Sequence, residues 1–151
     1  MSLKFRKAGK EDVREIVRLL ADDELGTKRE RYEDPLPEVY YEAFADMEAQ
    51  SGNHILLAVD GDAVLGCLQL VIIPGLGRQG MKRAIIEAVR VDRAYRGQGI
   101  GQAMMKEAIE RARQENCQLV QLTTDKTRSD AHRFYDRLGF VASHEGMKLF
   151  L

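Results

Sequence analysis

The sequence has no tryptophan, three prolines, three histidines and two cysteines in 151 residues. Cys67 and Cys117 each lie inside an apolar stretch, so they read as small buried hydrophobes rather than a disulfide. His54, His132 and His144 are scattered, with no cysteine or carboxylate at ligand spacing, and no metal is expected. No apolar run approaches membrane-spanning length, and Met1 to Lys10 lacks the apolar core of a signal peptide. An excess of one charge is missing too: 23 Lys and Arg against 24 Asp and Glu leave a net of -1. Such a balance gives no footprint for nucleic acid. The expectation is an untargeted cytoplasmic protein with neither a nucleic-acid nor a membrane partner. What is present, 44% hydrophobic and 31% charged residues, suits one globular domain over residues 1-151.

Periodicity sets the elements. Leu3 to Ala8 alternates as a strand, and Val13, Ile16, Val17 and Leu20 then recur on one helical face. Asp22 to Pro37 is polar and reads mostly as loop. Glu38 to Gln50 forms a second helix with Tyr40, Ala43, Phe44 and Met47 inward. His54–Val59 and Val64–Pro74 flank Asp60-Gly61-Asp62 as a hairpin. Gly75 to Gln79 is a connection, and Arg83–Val91 is a strand placing Ile85, Glu87, Val89 and Val91 on one face. A helix follows from Ile100 to Glu115, then a strand Leu119–Thr123 and a helix Ser129–Leu138 stopped by Gly139. Phe140–His144 and Met147–Leu151 read as a closing hairpin around Glu145-Gly146. Hairpins mixed with crossovers predict an α/β (α+β) fold, a mixed sheet flanked by helices.

The most informative stretch is Arg96-Gly97-Gln98-Gly99-Ile100-Gly101, between a strand and a long helix. Amides at a helix start have no intrahelical acceptor, and the aligned peptide dipoles make that end positive. Glycines allow close approach and positive φ, and Arg96 adds a guanidinium fork suited to phosphate. A dinucleotide fingerprint starting at Gly97 fails at Gln102, and a P-loop fails at Gln102 and Ala103. A mere tight turn would not need three glycines in five residues.

The pattern of Arg96, Gly99 and Gly101 resembles motif A of the GNAT N-acetyltransferase superfamily. Val91, five residues before Arg96, and Ala131-His132-Arg133-Phe134-Tyr135 with Leu138-Gly139-Phe140 extend the likeness, as does the element order. The resemblance implies a single-domain, mostly antiparallel sheet splayed between its fourth and fifth strands, with acetyl-CoA as donor. The backbone of Val89, Arg90 and Val91 would hydrogen-bond the pantetheine arm as an added strand would. The amides of Gly97, Gln98, Gly99, Ile100 and Gly101, with Arg96, would hold the pyrophosphate. Many relatives carry asparagine where Arg128 stands. Arg128 is then assigned to a coenzyme phosphate, the alternative being solvent.

Acetyl transfer needs a neutral amine, a stabilised oxyanion and a proton for the departing thiolate. Helix spacing alone makes Tyr135 a core aromatic; the resemblance makes it the proton donor. Glu87 is the candidate base, placed in the coenzyme cleft by its shared face with Val89 and Val91. Its apolar neighbours would favour a raised pKa. The competing reading pairs it with Arg83 or Arg90, or leaves it exposed. Neither cysteine neighbours a base in sequence, which favours direct attack in a ternary complex over an acyl-cysteine.

Eight acids between Asp22 and Glu42, with Tyr32, Tyr40 and Tyr41 among them, would suit a cationic acceptor if they form a rim. The bland reading is a solvated loop and helix face. A primary amine of a small molecule is the expected acceptor, and a homodimer is a family-level implication. The alternative function is a non-catalytic acyl-CoA sensor or regulatory subunit, which would need neither Tyr135 nor Glu87.

Overall fold

The computed structural model describes residues 1–151. Five strands, β1 (Lys4–Lys7), β2 (Asn53–Asp60), β3 (Ala63–Ile73), β4 (Arg83–Val91) and β5 (Leu119–Leu122), form one sheet in sequential order. The first three pairings are antiparallel and β4–β5 is parallel. The helices are α1 (Val13–Ala21), α2 (Gly26–Arg29), α3 (Glu38–Ala49), α4 (Gly77–Gly80), α5 (Ile100–Gln114) and α6 (Ser129–Arg137). α2 lies inside the stretch expected to be mostly loop, and α4 is a single turn in which Arg78 and Gln79 are left-handed.

β2 shows why the sheet is covered twice. Leu56 and Ala58 point to one face, where they join Leu68, Ile86 and the α5 residues Met104, Met105 and Ala108. Ile55, Leu57 and Val59 point to the other, against Ile16 and Leu19 of α1. Strand alternation thus feeds two cores, one per face. At the start of α1, Arg6 donates to both carboxylate oxygens of Asp12 at 2.8 and 2.9 Å, and the Gly9 amide donates to Asp12 at 2.8 Å. This fastens β1 to the first helix.

β4 is irregular where it matters. Ala88 takes φ 54, and the β3–β4 register shifts between Cys67 and Gln69. Two residues of β4, Ala88 and Val89, therefore oppose Leu68 alone, which is a bulge. The bulge reverses the alternation. Ala84 and Ile86 face the α5 core before it, and Val89 and Val91 face that core after it. Glu87 consequently does not share a face with Val89 and Val91, contrary to the strict period-two expectation. It lies on the face covered by α1.

β5 pairs only with Arg83–Ile86. From Glu87 onward the β4 edge toward β5 is open, which is the splay that the resemblance implied.

The closing hairpin does not form. Residues 140–151 belong to no strand, and Val141, Met147, Leu149, Phe150 and Leu151 are strongly exposed. A two-residue turn at Glu145-Gly146 would need left-handed backbone, and Gly146 is not among the glycines with positive φ.

Candidate active site

The open end of β4 runs into a 3-10 turn, Arg93–Tyr95, and then into the glycine cluster that starts α5. Gly97 and Gly99 both adopt left-handed backbone, φ 78 and 79, and Gly99 is the N-cap of α5. This double reversal costs an L-residue steric strain and costs glycine nothing of the kind. None of the amides from Gly97 to Gln102 donates to another backbone group; the first to do so is Ala103, to the Gly99 carbonyl at 3.0 Å. Six unused donors therefore crowd one helix start. A carbon built on Gly97 or Gly99 would meet nothing within 4 Å, so the turn faces open space. These residues fit a diphosphate: free amides, a positive helix end and room beside them.

A cleft of about 410 Å³ adjoins the turn, lined in part by Val91, Arg96, Gly97, Gly99, Ile100 and Gly101. Six residues singled out from sequence thus share one wall. The opposite wall is α6, with Phe134, Arg137 and Leu138, and Tyr95 also contributes. Arg137 escaped the sequence reading. Its signal was there, since it stands one helical turn after Phe134, on the same face. Gln98 is exposed at the tip of the turn and does not line the cleft. Arg96 lies back along the strand end, donating from Nε to the Val91 carbonyl at 3.3 Å. Gly66 on β3 has a separate role: a Cβ there would come within 2.9 Å of the Arg90 carbonyl, so glycine keeps β3 and β4 in register past the bulge.

The side chain of Arg90 leaves the cleft and crosses to the α1 face. Its Nε lies 3.2 Å from Asp23 Oδ2, and its Nη1 donates to the Val89 carbonyl at 2.9 Å. Arg128 comes to the same carboxylate oxygen from the start of α6, at 3.1 Å. Arg128 is therefore not part of the cleft wall that the coenzyme-phosphate assignment required. One acid on the α1–α2 connection ties together β4 and α6. Burial opposes the charge on Asp23, but the Gly26 amide, Arg90 and Arg128 outweigh it and hold the carboxyl below its usual value. With two arginines and one aspartate, the cluster carries a net positive charge.

Tyr135 stands beside this cluster. Its ring meets Phe134 edge-on at 5.2 Å and Phe140 at 5.9 Å. Burial pushes its phenol pKa up, while Arg90 and Arg128 pull the other way. The net shift is upward, so the phenol holds its proton at neutral pH. Glu87 is exposed on the α1 face, which is also the face that Arg90 reaches. Neither Arg83 nor Arg90 pairs with it, and the burial expected around it is absent. Cys67 is fully buried, its thiol pushed up to about 12 by burial. At that value it offers no thiolate.

Three of the eight acids in the stretch are ion-paired, Asp23 being held by Arg90 and Arg128. Asp22 pairs with Arg93, Glu33 with Arg31, and Glu30 accepts from the Tyr40 hydroxyl at 2.8 Å. Arg14 covers the Tyr32 ring at 4.9 Å and Lys10 stands 5.9 Å from that of Tyr41. The chain's own cations thus occupy two of the aromatic faces that a cationic acceptor could have used.

A family model described as Acetyltransferase (GNAT) family matches residues 14–140. The chain belongs to the GNAT acetyltransferase family. As a GNAT member it is an acetyl-CoA-dependent acyltransferase. It is 32% identical over 117 residues to a glucosamine 6-phosphate N-acetyltransferase of Trypanosoma brucei brucei, covering 76% of this chain and 78% of that one. It is 37% identical over 111 residues to an aminoalkylphosphonate N-acetyltransferase of Salmonella typhimurium, covering 71% of each. A crystal structure of a Bacillus halodurans C-125 protein, named a transcriptional regulator, is 49% identical. It superposes with a TM-score of 0.96 over 99% of this GNAT chain and 100% of its own. No helix of the GNAT chain is long and apolar enough to cross a membrane.

Proposed function

We propose that this chain moves the acetyl group of acetyl-CoA to the primary amine of a small molecule that also carries a phosphorus oxyacid, by direct attack in a ternary complex. The observation that carries the transferase reading is the set of free amides from Gly97 to Gln102 beside the open edge of β4. These groups would hold the diphosphate, and the backbone of Val89 to Val91 the pantetheine arm. The bound thioester supplies an activated acyl carbon; the rest of the chemistry falls to the chain. Glu87, exposed to water on the α1 face, takes the ammonium proton through a water molecule. The Tyr135 hydroxyl, kept protonated by its half-buried setting, donates to the departing sulfur. The buried, protonated Cys67 speaks against an acyl-enzyme route.

Two observations support the acidic acceptor. The two relatives quoted act, by their names, on amines bearing a phosphate or a phosphonate. In this chain, Arg90 and Arg128 stand together near Tyr135 with one aspartate between them. A guanidinium pair suits an oxyanion such as a phosphate or phosphonate.

Free-thiol release from acetyl-CoA measures the reaction. Aminoalkylphosphonates and amino-sugar phosphates should turn over at least ten times faster than the same amines without the phosphorus group. Faster release with polyamines would instead support a cationic acceptor. Coenzyme binding with no acceptor turned over across amines, aminoglycosides and peptides would favour the sensor reading.

A further inference from the structure

The cluster of Arg90, Asp23 and Arg128 is short of acceptors. Asp23 spends Oδ1 on the Gly26 amide and leaves Oδ2 alone to face two guanidinium groups. Arg128 Nη2 donates to that oxygen at 3.1 Å. Arg90 Nε lies 3.2 Å from it, yet this buried nitrogen makes no hydrogen bond. A buried donor left without an acceptor costs more than an ordinary hydrogen bond returns. The charges are unequal as well, two positive against one negative.

The segment that carries Asp23 is lightly held. From Asp22 to Glu30 only Gly26 is buried, and α2 within it is a single turn. Outside the cluster, Asp22 ties it to the turn after β4 through Arg93 at 3.3 Å, and Arg93 is 70% exposed. An exposed pair of that kind contributes little. Lifting the segment is therefore a local opening, not an unfolding of the core.

We infer that the Asp23 carboxylate is an internal stand-in for the acceptor's acid group, held by Arg90 and Arg128 until a phosphorus oxyanion displaces it. A phosphonate or phosphate brings three terminal oxygens and up to two charges. That is enough to give Arg90 Nε an acceptor and to balance both guanidinium groups. The ligand then takes over the link between β4 and α6 that Asp23 had made. Asp23 turns to water, and residues 22–30 are freed. The inference rests on the phosphorus-bearing acceptor proposed above and adds the acid with which that acceptor competes.

Hydrogen exchange on the wild-type chain without coenzyme tests the displacement directly. Saturating aminoethylphosphonate should speed exchange of the amides of residues 26–30 at least fivefold, and ethylamine, which lacks the phosphorus group, should not. Unchanged or slower exchange with the phosphonate bound would overturn the inference, as would equal acceleration by ethylamine. Asp23→Asn keeps an oxygen for the Gly26 amide and removes the charge. It should bind aminoethylphosphonate at least fivefold more tightly in calorimetry and lower its KM. A clamp that only positions the two arginines would lose affinity on the same change. The exchange measurement needs no variant, so poor folding of the asparagine form leaves the decision intact. Wild-type binding that weakens in Asp23→Asn would sink this inference alone. Absence of phosphonate binding in both forms would sink the acceptor reading beneath it as well.

Discussion

α5 and α6 both wall the cleft, yet they are held very differently. α5 buries Ile100, Met104, Met105, Ala108 and Ala112 to 3% exposure or less, whereas α6 buries nothing fully. The proposed donor cradle thus rests on a completed core. The candidate proton donor rests on a helix steadied by a few edge-on aromatic contacts and by the Arg128–Asp23 pair. Under the proposed assignments, coenzyme binding and chemistry would therefore be built on separable supports, and substitutions in the two helices should fail in different ways.

The largest separation should come from Tyr135→Phe. Loss of the phenolic proton should lower kcat by about 100-fold, the low end for a general acid, with coenzyme affinity unchanged in calorimetry. A variant that keeps full turnover would reduce Tyr135 to packing. A smaller effect is expected from Arg128→Ala. Losing one charged contact should raise KM for an aminoalkylphosphonate by about tenfold, again without touching coenzyme affinity. An equal change for the same amine without phosphonate would mean that Arg128 acts only through the Asp23 clamp.

The smallest effect lies far from the cleft, at Asp12. The Arg6 hydrogen bonds, helped by the Gly9 amide, hold its carboxyl below the ordinary 3.8. A depressed folded pKa contributes stability that is complete above the unfolded value. That contribution is lost as pH falls through the folded value. Asp12→Asn should therefore cost about 1–2 kcal/mol near pH 7, discounted because Arg6 is 44% exposed. The gap to wild type should narrow once pH falls below the ordinary 3.8 and close below the depressed folded value. Urea melts across that range provide the check, and a gap independent of pH would exclude the ion pair as its source.

The same two regions mark what a sequence can disclose. Around α5 the information is local. Strand, glycines and amphipathic helix follow one another, so Val91, Arg96, Gly97, Gly99, Ile100 and Gly101 could be read as one wall before any fold was known. β4 was legible in extent but not in phase, because a bulge at Ala88 depends on its partner strand and not on its own alternation. Glu87 changed faces for that reason. The Asp23 clamp joins residues 105 positions apart in sequence, so no local pattern announces it. Residues 147–151 alternate as a strand would, yet they belong to no strand, because alternation alone does not encode a pairing partner.

The central claim is a coenzyme diphosphate held by backbone amides at the start of α5, and Gly99→Val tests it most directly. A β-branched side chain cannot follow φ 79 without strain, while the space around it is open. The change should therefore distort the turn rather than the core. Calorimetric titration with acetyl-CoA should show affinity reduced at least 100-fold in a variant whose melting curve stays cooperative. Wild-type affinity in that same folded variant would place the coenzyme elsewhere and contradict the account.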